Sequence, residues 1–109
     1  MDANTILKQG DTLRRRISLK YIGNNTPVNL AGCTGYSQLR QQPGGDLIAN
    51  GTVTLGGADG TVVVVYSKTQ TASLQLGDYG FDVRLESDGD RRTIYTENIK
   101  VVKPYTERA

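Results

Sequence analysis

From Gly10 onward, short runs of β-forming residues alternate with turn signals almost to the end of the chain, and no helical period is sustained anywhere. The turns read Gly10-Asp11, Gly23-Asn24-Asn25, Gln42-Pro43-Gly44-Gly45, Asn50-Gly51, Gly56-Gly57-Ala58-Asp59-Gly60 and Asp88-Gly89-Asp90. Glycine supplies the backbone freedom such turns need, and Asn and Asp bond locally to their own backbone. Regular punctuation of this kind predicts an all-β fold, a two-layer antiparallel sandwich of seven to eight strands. A length of 109 residues fits one domain, spanning 1–109, with short polar arms at about 1–5 and 103–109.

The strands differ in clarity. Tyr79–Glu86 has the cleanest period of two, with Tyr79, Phe81, Val83 and Leu85 inward and Gly80, Asp82, Arg84 and Glu86 outward. Thr61–Ser67 is a nearly continuous apolar strand. Thr12–Ile22 places Leu13, Ile17, Leu19 and Tyr21 on one face; Arg15 interrupts it, which suggests a bulge or a sheet edge. Thr34–Gln41 alternates weakly and reads as partly exposed. Leu47–Ile48 and Val53–Leu55 flank Asn50-Gly51, a hairpin signal. Lys68–Ala72 fits one helical turn over the end of the sandwich, Thr5–Lys8 a first strand, and Arg92–Val102 a last strand that Pro104 ends.

Several chemistries find no support in the residues. With no histidine in the sequence, the usual triads and imidazole-bound zinc are out of reach. The single cysteine, Cys33, reads as a small buried hydrophobe and excludes an internal disulfide, which fits synthesis in a reducing cytoplasm. Asp78 and Asp82 are the one pair of carboxylates that invites comparison with a glycosidase, but so short a chain leaves little room for a cleft. Asp88-Gly89-Asp90 lacks the further acids of a calcium loop, and the glycines at 56–60 lack the Lys of a phosphate loop. The start of the chain has neither the basic nor the apolar part of a signal peptide, so Asn24 and Asn50 read as turn residues rather than glycan sites. Thirteen basic against eleven acidic residues give no strong pull toward nucleic acid, and no run is long enough to span a membrane. Arg14-Arg15-Arg16 is the one basic cluster; on a strand its members alternate between faces, so it makes a poor stripe for nucleic acid and reads as solvated charge, with an acidic protein partner as the alternative. The expectation is a protein without catalytic residues, cofactor or metal.

A resemblance extends this. Gly10-Asp11-Thr12, Pro27-Val28-Asn29-Leu30-Ala31-Gly32, Gly60-Thr61-Val62-Val63-Val64, Thr71–Asp82 with its Leu76-Gly77-Asp78-Tyr79 core, Ile99-Lys100-Val101 and Thr106 follow one another in an order that resembles the small immunoglobulin-like β-sandwich virion proteins of tailed bacteriophages. It is similar to the N-terminal domain of phage baseplate upper proteins and to short stand-alone phage structural proteins. The sequence departs from that pattern at Asn29 and Ala31, which is conservative for a turn. The resemblance implies a structural virion component made in the host cytoplasm, a capsid-decorating or cementing subunit contacting other virion proteins. A tail, neck or baseplate attachment domain is the alternative, and a carbohydrate- or receptor-binding module the third. It also implies that Val62, Val64 and Tyr66 point inward, which leaves Val63 and Val65 outward, either as surface valines set by strand propensity alone or as the centre of an apolar contact, within a homo-oligomer or with another subunit. Arg14, Arg16 and Tyr105 are the further expected partner-binding residues. Tyr79 before an alternating strand resembles a tyrosine corner, with Gly77 and Gly60 in tight turns and Phe81 in the core.

Overall fold

The computed structural model describes residues 5–24, 26–41, 45–87 and 89–104. These form two packed sheets: β1 (Thr5–Lys8), β8 (Asp90–Val102), β7 (Gly77–Ser87), β3 (Thr34–Gln41) and β4 (Leu47–Asn50) lie side by side in that order, and β2 (Leu13–Ser18), β6 (Thr61–Tyr66) and β5 (Thr52–Leu55) make the second layer. The all-β sandwich is the expected one, with one addition: β1 runs parallel to β8, so the larger sheet is mixed rather than wholly antiparallel.

Alternation builds the core. Tyr79, Phe81 and Val83 of β7, Ile99 and Val101 of β8, and Val62, Val64 and Tyr66 of β6 are all buried between the layers. Each turns every second side chain inward, so burying one face of both sheets removes a continuous apolar layer from water. The Tyr66 and Phe81 rings meet edge to face with centroids 5.6 Å apart, joining the two layers at the centre.

The weak alternation of β3 has a cause in the other sheet. Its inward positions are Gly35, Ser37 and Leu39; Leu39 and Ser37 are buried, so the strand is less exposed than its sequence suggests. A side chain at Gly35 would place its Cβ 2.4 Å from Cγ1 of Val53, so only glycine lets β5 pack this close. Ser37 Oγ lies 2.6 Å from the buried Tyr66 hydroxyl and 2.6 Å from the Asp82 carbonyl oxygen, to which it donates. Burial drives the Tyr66 hydroxyl up to about 12, against the smaller opposing effect of its Ser37 partner.

Asn50-Gly51 does not close a hairpin. β4 pairs with β3 and β5 with β6, so the chain changes sheet at Gly51 and continues. The reason is tertiary: a Cβ on Gly51 would sit 2.8 Å from Cζ of Tyr66, and its N–H donates to the Ser37 carbonyl oxygen at 2.9 Å. Close approach to a buried ring, rather than turn geometry, selects glycine here.

β2 stops at Ser18, short of the expected Ile22. Beyond it the Leu19 N–H turns to Gly60 and the Tyr21 N–H to Thr26, inside a small loop closed by the Lys20–Pro27 bridge. Tyr21 is therefore 52% exposed rather than in the core. Asn24 does serve as a turn residue, its Oδ1 accepting the Thr26 N–H at 3.0 Å. The helical turn forms at Lys68–Ala72, with Ser67 and Gln70 exchanging hydrogen bonds as a capping box.

Candidate partner-binding face

Four of the sequence-derived contact residues converge on the outer face of the three-stranded sheet. Register sets Arg14 beside Val65 and Arg16 beside Val63, while Thr52 and Thr54 of β5 flank the same valines from the other side. Two parallel rows result, Arg14–Val65–Thr52 and Arg16–Val63–Thr54, about 7 Å apart along the strands. Val63 and Val65 are half-buried, Arg14 and Arg16 exposed. Arginine stems can cover neighbouring apolar surface while the guanidinium stays in water, so the face is apolar at its centre and positive along one margin. Asp59, near the end of this face, accepts the Thr61 N–H at 2.9 Å; that bond holds its carboxyl below the ordinary value, and the Arg16 charge adds to the effect. Tyr105 lies outside the described residues.

Arg15 is the member of the triplet that turns inward. It sits on β2, an edge strand of its sheet in continuous register with β6, so the edge rather than a bulge accommodates it. Its Nε and Nη2 donate to the two carboxylate oxygens of Glu97 at 2.8 and 2.7 Å, bridging the layers. Glu97 is buried, and the Tyr95 hydroxyl donates to it as well. Burial pushes the Glu97 carboxyl up, but hydrogen bonds from Arg15, Thr5 and Tyr95 and the Arg15 charge outweigh it and hold the group at about 2. Sequence reasoning did not find Glu97. The signal was present: an arginine on an inward face requires an acid, and Glu97 shares strand parity with Ile99 and Val101.

Tyr79 has the geometry of a tyrosine corner. Its ring is buried and its hydroxyl donates to the Gln75 carbonyl oxygen at 2.7 Å, four residues upstream. Gly77 has a φ of 144° and Gly60 one of 72°; a Cβ on Gly60 would also meet the Leu19 carbonyl oxygen at 2.4 Å. Phe81 is in the core between Tyr66 and Tyr95.

The Asp78–Asp82 pair is too far apart for glycosidase chemistry. Both stand on one face of β7, four residues from each other, hence about 13 Å apart along the strand, beyond the roughly 5–9.5 Å that such carboxylates require. Cys33 is half-buried at the margin of the core. Among the described residues, no three His, Cys, Asp or Glu side chains cluster to hold a metal ion. Compared with known proteins, the sequence matches no protein-family profile and no curated protein.

Proposed function

We propose that this protein is a non-enzymatic docking domain of a tailed-phage particle, a capsid-decorating or cementing subunit that meets its neighbour through the outer face of the three-stranded sheet. The observation that carries the reading is the convergence of Arg14, Arg16, Val63 and Val65 on one face. The order of the sequence islands, similar to small phage β-sandwich proteins, supplies the virion context. The same face serves equally in a tail, neck or baseplate domain.

The chemistry of the face favours an acidic and apolar surface of another protein over a second copy of this chain. A two-fold contact through Val63 and Val65 would bring two pairs of guanidinium groups around the shared valines, and like charges at a closed interface cost stability. A carboxylate-bearing neighbour meets them with charge-assisted hydrogen bonds instead. Purified protein carrying Val63→Lys with Val65→Glu is expected to keep the β signature in circular dichroism and lose binding to particles that lack the subunit. Normal occupancy of the particle by this variant would overturn the assignment of the face.

A further inference from the structure

The four sheet edges of the sandwich are not guarded alike. On one side, β2 carries Arg14, Arg15 and Arg16 and β1 carries Lys8, and charge on an edge discourages pairing with another chain. On the other side, the chain has no charged residue and no proline from Leu47 to Ala58. Of the two strands there, β4 is guarded by other means: its register with β3 shifts between Leu39 and Arg40, and the Asn50 carbonyl oxygen accepts from Gln70 Nε2 at 2.8 Å. β5 has an unbroken register with β6, and among the described residues no strand lies on its other side.

The ladder decides which groups that edge offers. The Gly56 N–H donates to the Thr61 carbonyl oxygen at 2.7 Å, so these two residues form a hydrogen-bonded pair. Such pairs alternate along an antiparallel ladder. Thr52 and Thr54 therefore bond to β6, while Val53 and Leu55 turn their N–H and C=O away from it. The side chains of Val53 and Leu55 pack against the core, and Thr52 and Thr54 are exposed on the outer face. Beyond these four residues the bonding groups are engaged: the Gly51 N–H donates to Ser37, and the Gly57 carbonyl oxygen accepts from Leu30 and Gly60. Two donors and two acceptors remain, spaced so that they match their own two-fold image.

We infer that β5 pairs antiparallel with β5 of a second copy of this chain, about a two-fold axis at Thr54. Val53 of each copy then exchanges both main-chain bonds with Leu55 of the other, and Thr54 meets Thr54, a favourable cross-strand pair. The neighbouring two-fold registers set Leu55 against Gly51 or Val53 against Gly57, where the Gly51 N–H and the Gly57 C=O are already taken. In the joined six-stranded sheet the two β2 strands lie five spacings apart, about 24 Å, well beyond the reach of screened charge. The arginine repulsion that opposes a contact through Val63 and Val65 therefore does not arise. Val53 packs over Gly35 of β3, so β4 borders the same side in the other layer, and its Leu47 and Ile48, 44% and 43% exposed, add apolar surface. The pairing leaves the Val63–Val65 face open on both copies and does not depend on what particle the protein belongs to.

Sedimentation equilibrium of the purified chain between about 1 μM and 1 mM is expected to show a reversible passage from monomer to dimer. Thr54 is exposed, so Thr54→Lys and Thr54→Glu keep the fold; each is expected to weaken the dimer at least roughly tenfold by setting a charge against its own copy. Mixing the two variants is expected to restore a dimer, because only a residue on the axis meets its own position. Concentrating the ¹⁵N-labelled wild type is expected to slow hydrogen exchange roughly tenfold at Val53 and Leu55 and to leave Thr52 and Thr54 unchanged. Val63→Lys with Val65→Glu is expected to dimerise as the wild type does, which separates this contact from the particle-facing one. A chain that stays monomeric throughout the range overturns the inference. So does a Lys and Glu mixture that stays monomeric, or a dimer lost in the Val63 and Val65 variant but kept in Thr54→Lys. Protection at Ile48 in place of Val53 and Leu55 would move the contact to β4 and overturn it as well.

Discussion

Replacing Glu97 by glutamine removes one charge from the bridge between the sheets while preserving its shape. Arg15 then keeps one acceptor and faces an amide donor with its other nitrogen, where it now makes bonds of 2.8 and 2.7 Å. Breaking a buried pair from one side costs about 3–5 kcal/mol, and the Arg15 side chain, 30% exposed, recovers part of that through water, which places the loss near the lower bound. The depressed Glu97 carboxyl gives a second route to the number. Glu97 titrates at about 2 instead of its ordinary 4.5. A carboxyl depressed in the folded state stabilises in full above the unfolded value and loses that contribution as pH falls from about 4.5 toward 2. That difference corresponds to roughly 3 kcal/mol, in line with the first figure. Urea denaturation followed by circular dichroism at pH 7 should therefore find Glu97→Gln destabilised by about 3 kcal/mol, out of a typical total of about 5–15. Between pH 5 and 3 the wild type should lose stability faster than the variant. Arg15→Met with Glu97→Leu should regain much of the loss, because an apolar pair leaves no buried charge unmatched. A Glu97→Gln protein within about 0.5 kcal/mol of wild type, or one with an unchanged acid slope, would refute the reasoning.

Three other outcomes follow from the buried tyrosines. Tyr79→Phe removes the bond to Gln75 and should cost about 0.5–1.5 kcal/mol, whereas Tyr79→Ala leaves a cavity and should cost about 3–5 kcal/mol, both read from chemical denaturation; equal and negligible costs would contradict the corner. In a spectrophotometric titration of the folded protein, one tyrosine, Tyr66, should ionise only near 12. Because its folded value is raised, its contribution to stability is complete below about 10 and declines as pH rises toward 12. Ser37→Ala should cost about 1–3 kcal/mol by leaving the Tyr66 hydroxyl buried without this partner.

β6 and β7 were legible from the sequence as strands, β7 by its alternation and β6 by its unbroken β-branched run, because each lies between two neighbours with one face on the core. β3 was less so, since Gly35 and Ser37 are chosen by Val53 and Tyr66 of the opposite layer, and no pattern within β3 reveals that. Asn50-Gly51 carries a hairpin signal that is purely local, and it gave way to the demand of Tyr66 for a residue without a side chain. The parallel pairing of β1 with β8 joins the two ends of the domain and has no local signature. Of the candidate face, the alternation of Arg14 and Arg16 follows from the period of two, whereas the outward side of Val62–Val65 rests on the resemblance, because four consecutive valines carry no alternation of their own. Their meeting on neighbouring strands could not be derived, because register between β2 and β6 depends on how the core closes.

In the proposed role this sandwich sits in a virion with its Arg14–Arg16 and Val63–Val65 face against a neighbouring subunit. A cryo-electron microscopy map of a tailed-phage particle whose genome carries this sequence tests it most directly. The expected result is density for the two-sheet domain in regular copies, with both valines covered by another protein and a carboxylate beside each arginine. A particle without the domain, or a domain seated with that face open to solvent, would contradict the claim.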